Sequence, residues 1–162
     1  MTLEIERKFL VTKIRKMTLP KGEAIEQGYL SDGEPTVRVR TRGKSGFITI
    51  KCAGKKNAKL GKAIVREEFE YEIPAAEAKA LLKVAKWKLK KTRHYLANGV
   101  ELDVFKGSHR GLIMAEYESE DGSAPEPIKG IEWREVTEDR RYSNSWIARH
   151  GVPPRGKRKK RK

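Results

Sequence analysis

The chain has 162 residues, of which 37% are hydrophobic and 36% charged, and its formal net charge at pH 7 is +15. This length suits a single domain with a substantial core, and the lack of an apolar run of about 18 residues excludes a membrane-spanning helix. The one cysteine, Cys52, excludes an internal disulfide and a cysteine-rich zinc site. Because the first residues lack the apolar segment of a signal peptide, we expect a cytoplasmic protein.

The positive charge is concentrated at the C-terminus. Residues 155–162 contribute seven positive charges, which leaves +8 for residues 1–154. We therefore predict one domain over residues 1–152 and a basic, disordered tail over residues 153–162. A tail of this kind attracts polyanions such as polyphosphate or nucleic acid. A purely solubilising end is the alternative interpretation.

The N-terminal stretch alternates charged and apolar residues, which predicts a strand over residues 3–12. Successive side chains of a strand point to opposite faces. Glu4, Glu6 and Lys8 therefore share one face, and the other face is apolar except for Arg7. Such a strand could be half-solvated, or it could form the wall of a site for a metal and an anion.

The next three predicted strands are separated by glycine-containing turns. One of them places Arg38, Arg40 and Arg42 on a single face, and the following strand ends at Lys51. Like charges on neighbouring same-face positions repel each other unless an anion lies between them. These strands cover residues 26–30, 36–42 and 47–51.

A glycine- and lysine-rich segment over residues 54–62 is expected to be a mobile loop, and a strand over residues 64–73 follows it. Arg66, Glu68 and Glu70 share one face of that strand. Beyond the strand, the apolar spacing predicts a helix that starts after a proline, which suits the first turn of a helix. This helix covers residues 75–87.

The C-terminal half reads as four more strands and a last helix that Thr137 caps. Glu116 and Glu118 form another same-face pair of carboxylates. The dipeptide Asn98-Gly99 predicts a hairpin turn. The strands cover residues 91–96, 100–105, 112–119 and 132–136, and the helix covers residues 139–149.

About eight strands joined by short turns, with one or two helices, predict a mainly β (α+β) fold. We expect a closed eight-stranded antiparallel β-barrel that forms a tunnel, with a few flanking helices. An open sheet with its charged face in solvent is the alternative. In a closed barrel the Glu-x-Glu pairs, with side chains roughly 7 Å apart, could bind Mg²⁺ or Mn²⁺. The guanidinium groups could grip phosphate oxygens.

In their order along the chain, these motifs resemble the CYTH, or triphosphate tunnel metalloenzyme, superfamily, and most of all its short bacterial inorganic triphosphatase-like group. The resemblance covers about residues 2–150. Its motifs are Glu4-Ile5-Glu6-Arg7-Lys8, Gln27-Gly28-Tyr29-Leu30, Arg38-Val39-Arg40, Lys51, Arg66-x-Glu68-x-Glu70, Lys91-Thr92-Arg93, Glu101-Leu102-Asp103-Val104-Phe105, Glu116-x-Glu118 and Asp139-x-x-Tyr142-Ser143-Asn144.

The resemblance implies a tunnel open at both ends and a reaction on triphosphates with Mg²⁺ or Mn²⁺. We expect hydrolysis of a terminal phosphoanhydride bond, since phosphoryl transfer needs mainly alignment and charge neutralisation. The expected substrate-binding residues are Lys8, Arg38, Arg40, Lys51, Arg66, Lys91, Arg93 and Arg141. The expected metal ligands are Glu4, Glu6, Asp103, Glu116 and Glu118. The expected catalytic residues are Glu4, Glu6, Lys8, Glu68 and Glu70.

Several finer assignments stay open at this point. Glu68 and Glu70 could position the attacking water or hold Arg66, and Arg141 could close one tunnel mouth or be a plain surface residue. An adenylate cyclase or thiamine triphosphatase of the same superfamily, and a non-catalytic polyphosphate- or RNA-binding module, are alternative functions. The expected partner is a small-molecule triphosphate, and a homodimer is left open.

Overall fold

Within residues 2–31 and 33–154, which the computed structural model describes, the chain forms ten β-strands and two α-helices. All strand pairings are antiparallel. The strands are β1 (Thr2–Ile14), β2 (Glu23–Tyr29), β3 (Thr36–Arg42), β4 (Ser45–Lys51), β5 (Lys55–Lys56), β6 (Ile64–Ile73), β7 (Trp87–Tyr95), β8 (Glu101–Phe105), β9 (Ile113–Glu118) and β10 (Ile131–Glu135), and the helices are α1 (Ala75–Val84) and α2 (Asn144–His150).

The long first strand closes the sheet into a barrel. β1 pairs with β9 through residues 6–10 and with β6 through residues 2–6. Eight strands therefore form a closed ring in the order β1, β9, β8, β7, β2, β3, β4 and β6. β10 continues along the same edge of β1 as β6, over residues 9–14, and β5 pairs only with β6. The predicted closed antiparallel barrel is confirmed.

Helix α1 lies on the outside of the barrel, against β3 and β4. Ala78 and Leu82 pack there with Val39 in an apolar cluster. Two glycines of the barrel wall permit this close approach: a Cβ atom at Gly28 would lie 2.6 Å from that of Ala85, and one at Gly46 would lie 2.5 Å from that of Ala78.

Helix α2 packs on β7 and covers an apolar part of the barrel's inner face. Leu89, Phe105 and Met114 belong to one buried cluster with Tyr142 and Ile147. Because residues two apart in a strand share a face, these three side chains lie beside the charged inner residues of the same strands. The inner face is therefore apolar next to α2 and charged beyond it.

The structure corrects several of the element boundaries predicted from the sequence, among them the strand predicted over residues 91–96, which begins at Trp87. The helix predicted over residues 75–87 ends at Val84, because Trp87 already pairs with Tyr29 in the barrel. The segment 54–62, predicted to be a loop throughout, contains β5 and a single 3-10 turn at Ala58–Leu60. In both places tertiary pairing overrides local preference.

The predicted last helix is interrupted. Its first part is a 3-10 turn, Arg140–Tyr142, which Asp139 caps, and α2 begins afresh with Ser143 as its cap. Thr137, the predicted cap, instead accepts a hydrogen bond of 3.0 Å from the backbone N–H of Lys8. No helix in the described part of the chain is both long enough and apolar enough to cross a membrane.

Candidate functional site

The charged inner face surrounds a cavity of about 450 Å³, which we call the barrel cavity. Among the described residues its wall carries seven cationic and seven carboxylate side chains, so their formal charges cancel. The cations are Lys8, Arg38, Arg40, Arg42, Lys51, Arg66 and Arg93, and the carboxylates are Glu4, Glu6, Glu68, Glu70, Glu101, Glu116 and Glu118.

Three of the carboxylates meet at one point of the wall. One oxygen each of Glu4, Glu6 and Glu118 lies within 4.8 Å of the other two. The sheet brings them together because Glu6 pairs with Glu118 across β1 and β9, and Glu4 is on the same face as Glu6. Partial burial raises the pKa of Glu118 to about 7, and the carboxylates of Glu4 and Glu6 act in the same direction. A divalent cation would relieve this repulsion.

Glu4 supplies an independent sign that this carboxylate group fits a cation. Its Oε2 atom is buried and has no hydrogen-bond partner among the described residues. The atom lies 3.2 Å from Nε of Arg66, without the alignment of a hydrogen bond. Since buried polar atoms are normally paired, and hard cations take carboxylate oxygens, the donor set fits Mg²⁺ or Mn²⁺.

Lysine side chains bridge the carboxylates of neighbouring strands. Nζ of Lys51 lies 2.5 Å from Glu4 and 2.7 Å from Glu68. Nζ of Lys8 lies 2.8 Å from Glu6 and 2.9 Å from Glu116. Burial lowers the pKa of Lys8, but the carboxylates of Glu116 and Glu6 outweigh it and raise that pKa above its usual range. Lys8 is therefore a permanent cation.

Glu116 is held by donors from three directions. Besides Lys8, it accepts a hydrogen bond of 2.8 Å from Arg93 and one of 3.0 Å from the amide of Asn144 at the start of α2. Burial acts to raise the pKa of Glu116, yet the cations Lys8, Lys91 and Arg93 hold it well below its usual range. Glu116 thus stays ionised and is fully occupied in orienting cations.

Two neighbouring arginines form the opposite wall. Arg40 donates to Glu70 at 2.9 Å, and Arg38 donates to Thr49 at 3.2 Å. The Nε–H groups of both arginines are buried without a hydrogen-bond partner among the described residues. Burial and the charge of Arg38 lower the pKa of Arg40. The two guanidinium groups therefore lie close enough to repel each other in the cavity wall, and an anion between them would relieve this repulsion.

Arg66 is ion-paired with carboxylates of β1. It lies 3.2 Å from Glu4 and 3.8 Å from Glu6. Neither Glu68 nor Glu70 forms an ion pair with Arg66 in the described part of the chain. Glu68 contacts Lys51 and Glu70 contacts Arg40 instead.

Three residues predicted for the site do not line the barrel cavity. Asp103 is fully buried and receives hydrogen bonds from Lys91 and Arg93. Burial lowers the pKa of Lys91, against the effect of Asp103. Arg141 lies at the surface and forms two hydrogen bonds, of 2.9 and 2.7 Å, with Asp139. The structure thus brings most of the predicted site residues together in the cavity wall. Lys91 and Asp103 are buried away from the cavity, and Arg141 lies at the surface.

The structure also adds residues to the wall for which the sequence predicted no role. Tyr29 is buried, its hydroxyl accepts a hydrogen bond of 2.9 Å from Gln27, and burial raises its pKa to about 12. Its place in the alternation of β2 would have identified it. Strand alternation does not identify Asn144, which the packing of α2 carries to the cavity; its only signal in the sequence is its place in the motif Asp139-x-x-Tyr142-Ser143-Asn144. The remaining additions are Thr2, Leu3, Thr36, Arg42, Glu101, Ser143 and Ser145.

Known proteins resemble this chain over most of its length. A family model described as the CYTH domain matches residues 2–138. The chain is 37% identical over 155 residues to the inorganic triphosphatase of Acetivibrio thermocellus, covering 91% of this chain and 94% of that one. It is 35% identical over 161 residues to the inorganic triphosphatase of Nitrosomonas europaea, covering 90% and 96%. A crystal structure of the inorganic triphosphatase NE1496 matches with a TM-score of 0.61 and 33% identity, covering 91% of this chain and 95% of that one.

Proposed function

The chain belongs to the CYTH domain family, as its motifs predicted, and from that premise we propose that it is a divalent-metal-dependent hydrolase of inorganic triphosphate. Two relatives that share at least 35% of its residues over their nearly full length carry that activity in their names. The observation that carries the proposal is the barrel cavity, where a carboxylate cluster and a set of guanidinium groups face each other.

The charge balance of the cavity explains why a metal is needed. Seven cations and seven carboxylates cancel formally, whereas triphosphate is a compact polyanion. Each phosphate-binding cation therefore already has a carboxylate partner, and the anion must compete with it. A divalent cation adds positive charge and occupies carboxylates at the same time, which shifts the balance towards binding the anion.

We assign the metal to Glu4, Glu6 and Glu118, whose oxygens converge. When bound, the metal supplies charge neutralisation of the phosphoryl oxygens and acidification of the attacking water. Asp103 and Glu116, also expected as ligands, are assigned a different role: both are fully engaged with cations, so they orient Lys8, Lys91 and Arg93.

We assign the triphosphate to the cations of the wall, namely Lys8, Arg38, Arg40, Lys51, Arg66 and Arg93. Guanidinium groups suit phosphate oxygens because their donors lie in a planar fork. Glu68 and Glu70 keep Lys51 and Arg40 aimed into the cavity through contacts of 2.7 and 2.9 Å. Arg141, at the surface, receives no part in binding.

The test is a phosphate-release assay with tripolyphosphate, thiamine triphosphate, ATP and GTP, each with Mg²⁺ and with Mn²⁺. Tripolyphosphate is expected to be hydrolysed fastest, and EDTA should abolish the reaction. Glu4→Gln should lower kcat/KM more than about 100-fold, since it removes a charge-based interaction of roughly 3 kcal/mol or more. Glu26→Gln, which loses only an exterior ion pair with Lys90, is the matched control.

Other outcomes would overturn the proposal. Cyclic AMP formation faster than phosphate release would indicate an adenylate cyclase. Tight binding of tripolyphosphate without turnover in any metal would indicate a binding module. The cytoplasmic location and the polyanion contact of the tail stay predictions, and a homodimer stays an open alternative. Residues 155–162 of the predicted tail lie outside the described part of the chain.

A further inference from the structure

The first strand changes partners along one of its edges. That edge pairs with β6 through residues 2–6 and with β10 through residues 9–14. Neither pairing includes Arg7 or Lys8 in the described part of the chain, and we call these two residues the seam. Because the side chain of Lys8 lines the barrel cavity, the bonds that fix the seam also affect the cavity.

A threonine hydroxyl takes the place of a strand partner at the seam. The backbone N–H of Lys8 donates to Oγ1 of Thr137 at 3.0 Å, and the Lys8 carbonyl oxygen accepts from the N–H of Val136 at 2.8 Å. Both Lys8 and Thr137 are buried. Since a buried N–H group without a partner is costly, Thr137 satisfies a donor that the two strand pairings leave over.

Glu135 fixes the direction of that hydroxyl group. Thr137 donates to Oε1 of Glu135 at 2.8 Å, whereas the other acceptor within reach, the carbonyl oxygen of Lys8, is 3.4 Å away. A hydroxyl has a single hydrogen, so a lone pair of Oγ1 remains for the Lys8 N–H. Burial acts to raise the pKa of Glu135, but hydrogen bonds from Arg7 and Thr137 outweigh it and lower that pKa. Glu135 therefore stays an ionised acceptor.

Arg7 holds Glu135 in turn, from the outer face of β1. Its Nε and Nη2 atoms donate to the two carboxylate oxygens of Glu135 at 2.9 and 2.7 Å, and its Nη1 atom donates to the backbone carbonyl of Gly122 at 3.3 Å. A forked pair of this kind fixes direction as well as charge. It accounts for the one charged residue on the apolar face of the predicted first strand.

This chain of hydrogen bonds ends at a residue whose side chain is in the site. The ammonium group of Lys8 lies 2.8 Å from Glu6 and 2.9 Å from Glu116. Lys8 is also directly opposite Glu116 in the pairing of β1 with β9. A shift of the Lys8 backbone therefore changes where its ammonium group lies in the barrel cavity.

We propose that Thr137 is a positioning residue for Lys8, and that Glu135 and Arg7 hold Thr137 in the orientation that accepts from the Lys8 N–H. This inference rests on the proposed function, because it takes Lys8 as a cation that binds the triphosphate. Thr137 is not among the described residues that line the barrel cavity, so it acts only through the backbone of Lys8. A displacement of about 1 Å at a reacting site can lower a rate by about 100-fold.

The experiment compares Thr137→Val with Thr137→Ser. Valine keeps the shape and removes the hydroxyl, so kcat/KM for tripolyphosphate should fall about 5- to 10-fold, the scale of one buried hydrogen bond. Serine keeps the hydroxyl and should stay within about 2-fold of the wild type. Thr12→Val is the matched control and should leave kcat/KM unchanged. It removes another hydroxyl of β1, which donates to the backbone of Glu132 on β10 at 3.0 Å, outside the barrel cavity.

A double-mutant cycle separates positioning from a general loss of structure. In the Lys8→Met background, adding Thr137→Val should lower kcat/KM by less than about 2-fold, because the group that Thr137 positions is gone. A purely structural role would give the same loss in both backgrounds. If Thr137→Val does not fold, Glu135→Gln is the second variant, since it removes the ionised acceptor of the Thr137 hydroxyl. Its effect should likewise vanish in the Lys8→Met background.

Hydrogen exchange followed by NMR measures the anchoring of Lys8 without turnover. The amide proton of Lys8 should exchange at least about 10-fold faster in Thr137→Val than in the wild type, because its acceptor is lost. The amide proton of Val39, buried on β3, should exchange at the same rate in both proteins and serves as the internal reference.

The outcomes separate this inference from the proposed function. If the wild type hydrolyses tripolyphosphate but the effects of Lys8→Met and Thr137→Val on kcat/KM are additive, Thr137 does not position Lys8 and the proposed function stands. An unchanged kcat/KM in Thr137→Val has the same meaning. If the wild type does not hydrolyse tripolyphosphate, the proposed function fails. Faster exchange at the Lys8 amide in Thr137→Val would then still support the anchoring, and unchanged exchange would overturn it.

Discussion

The ammonium group of Lys51 lies 2.5 Å from a carboxylate oxygen of Glu4. A cation assigned to the substrate and a carboxylate assigned to the metal therefore neutralise each other in the metal-free protein. The same arrangement links Lys8 with Glu6 at 2.8 Å. Lys51 and Lys8 each become available to phosphate when their carboxylate partners bind a metal ion instead. The metal and the triphosphate should therefore increase each other's affinity.

Removing Lys51 should change the two affinities in opposite directions. In Lys51→Met, Glu4 loses the nearer of its two cationic partners and keeps only Arg66, so Mn²⁺ should bind more tightly without substrate, by about 3- to 10-fold. The KM for tripolyphosphate should rise, because a phosphate-binding cation is lost. Mn²⁺ titration by electron paramagnetic resonance and steady-state kinetics measure the two effects. A variant that binds both metal and substrate more weakly would contradict the competition between Lys51 and the metal.

Arg40→Gln should lower kcat/KM for tripolyphosphate about 10- to 150-fold, because a charge-assisted hydrogen bond of roughly 1.5–3 kcal/mol is lost. Arg40 lines the barrel cavity, where its guanidinium group donates to Glu70 at 2.9 Å. Arg15→Gln is the control, since Arg15 pairs with Glu132 at 2.6 Å and is mostly exposed. Equal kinetics for the two variants would remove Arg40 from the substrate site.

Asn144→Ala should lower kcat/KM about 5- to 10-fold by releasing one oxygen of Glu116, a loss of about 1 kcal/mol. The same oxygen also accepts a hydrogen bond from Lys8, so the orientation of the Lys8 side chain depends on it. Asn144→Asp should be worse than Asn144→Ala, because a second carboxylate would face Glu116. Asn57→Ala, the same substitution at an exposed residue outside the barrel cavity, is the control. If Asn144→Asp is as active as the wild type, Asn144 does not position Glu116.

The stability of the metal-free protein should depend on pH through Glu118. Its pKa is raised from 4.5 to about 7 in the folded state, so the folded protein holds a proton that the unfolded chain has lost. Stability therefore falls as pH rises between these two values. In EDTA, Glu118→Gln should melt at a higher temperature than the wild type above pH 7, and the difference should vanish towards pH 4.

Adding metal provides the control for this pH effect. Mn²⁺ should stabilise the wild type at pH 8 more than it stabilises Glu118→Gln, because the ionised carboxylate becomes a ligand. Circular dichroism melting curves with EDTA and with Mn²⁺ measure both differences. A wild type that stays the more stable protein at pH 8 in EDTA would contradict the repulsion among Glu4, Glu6 and Glu118.

The sequence predicted the inner face well, because a period of two dictates which side chains share a face. Glu4, Glu6 and Lys8 on β1, and Arg38 and Arg40 on β3, all line the cavity as the alternation required. Once the sheet closes, these faces have no other place to point. The family's ordered motifs indicated the closure, which alternation alone left open.

What the sequence could not supply was depth along the barrel and the packing of α2. Lys91 and Asp103 share the inner face with Arg93 and Glu101, yet they lie deeper and satisfy each other instead of facing the cavity. How close Lys91 and Asp103 lie to the apolar cluster under α2 depends on how neighbouring strands are shifted along each other. The alternation of apolar and charged residues does not specify that shift. Asn144 reaches Glu116 only because the last helix breaks at Ser143, and Arg141 turns to Asp139 in that break.

The way β1 closes the barrel has a consequence for biosynthesis. Glu6 on the first strand completes its carboxylate cluster only when Glu118, more than a hundred residues later, pairs beside it. Such distant pairings form late, since ordering the intervening chain must come first. A nascent chain on the ribosome, or a truncated product, therefore contains Glu4 and Glu6 but lacks Glu118, the third carboxylate of the cluster. The carboxylate cluster is therefore complete only when the barrel has closed, and a partly synthesised chain has no working metal site.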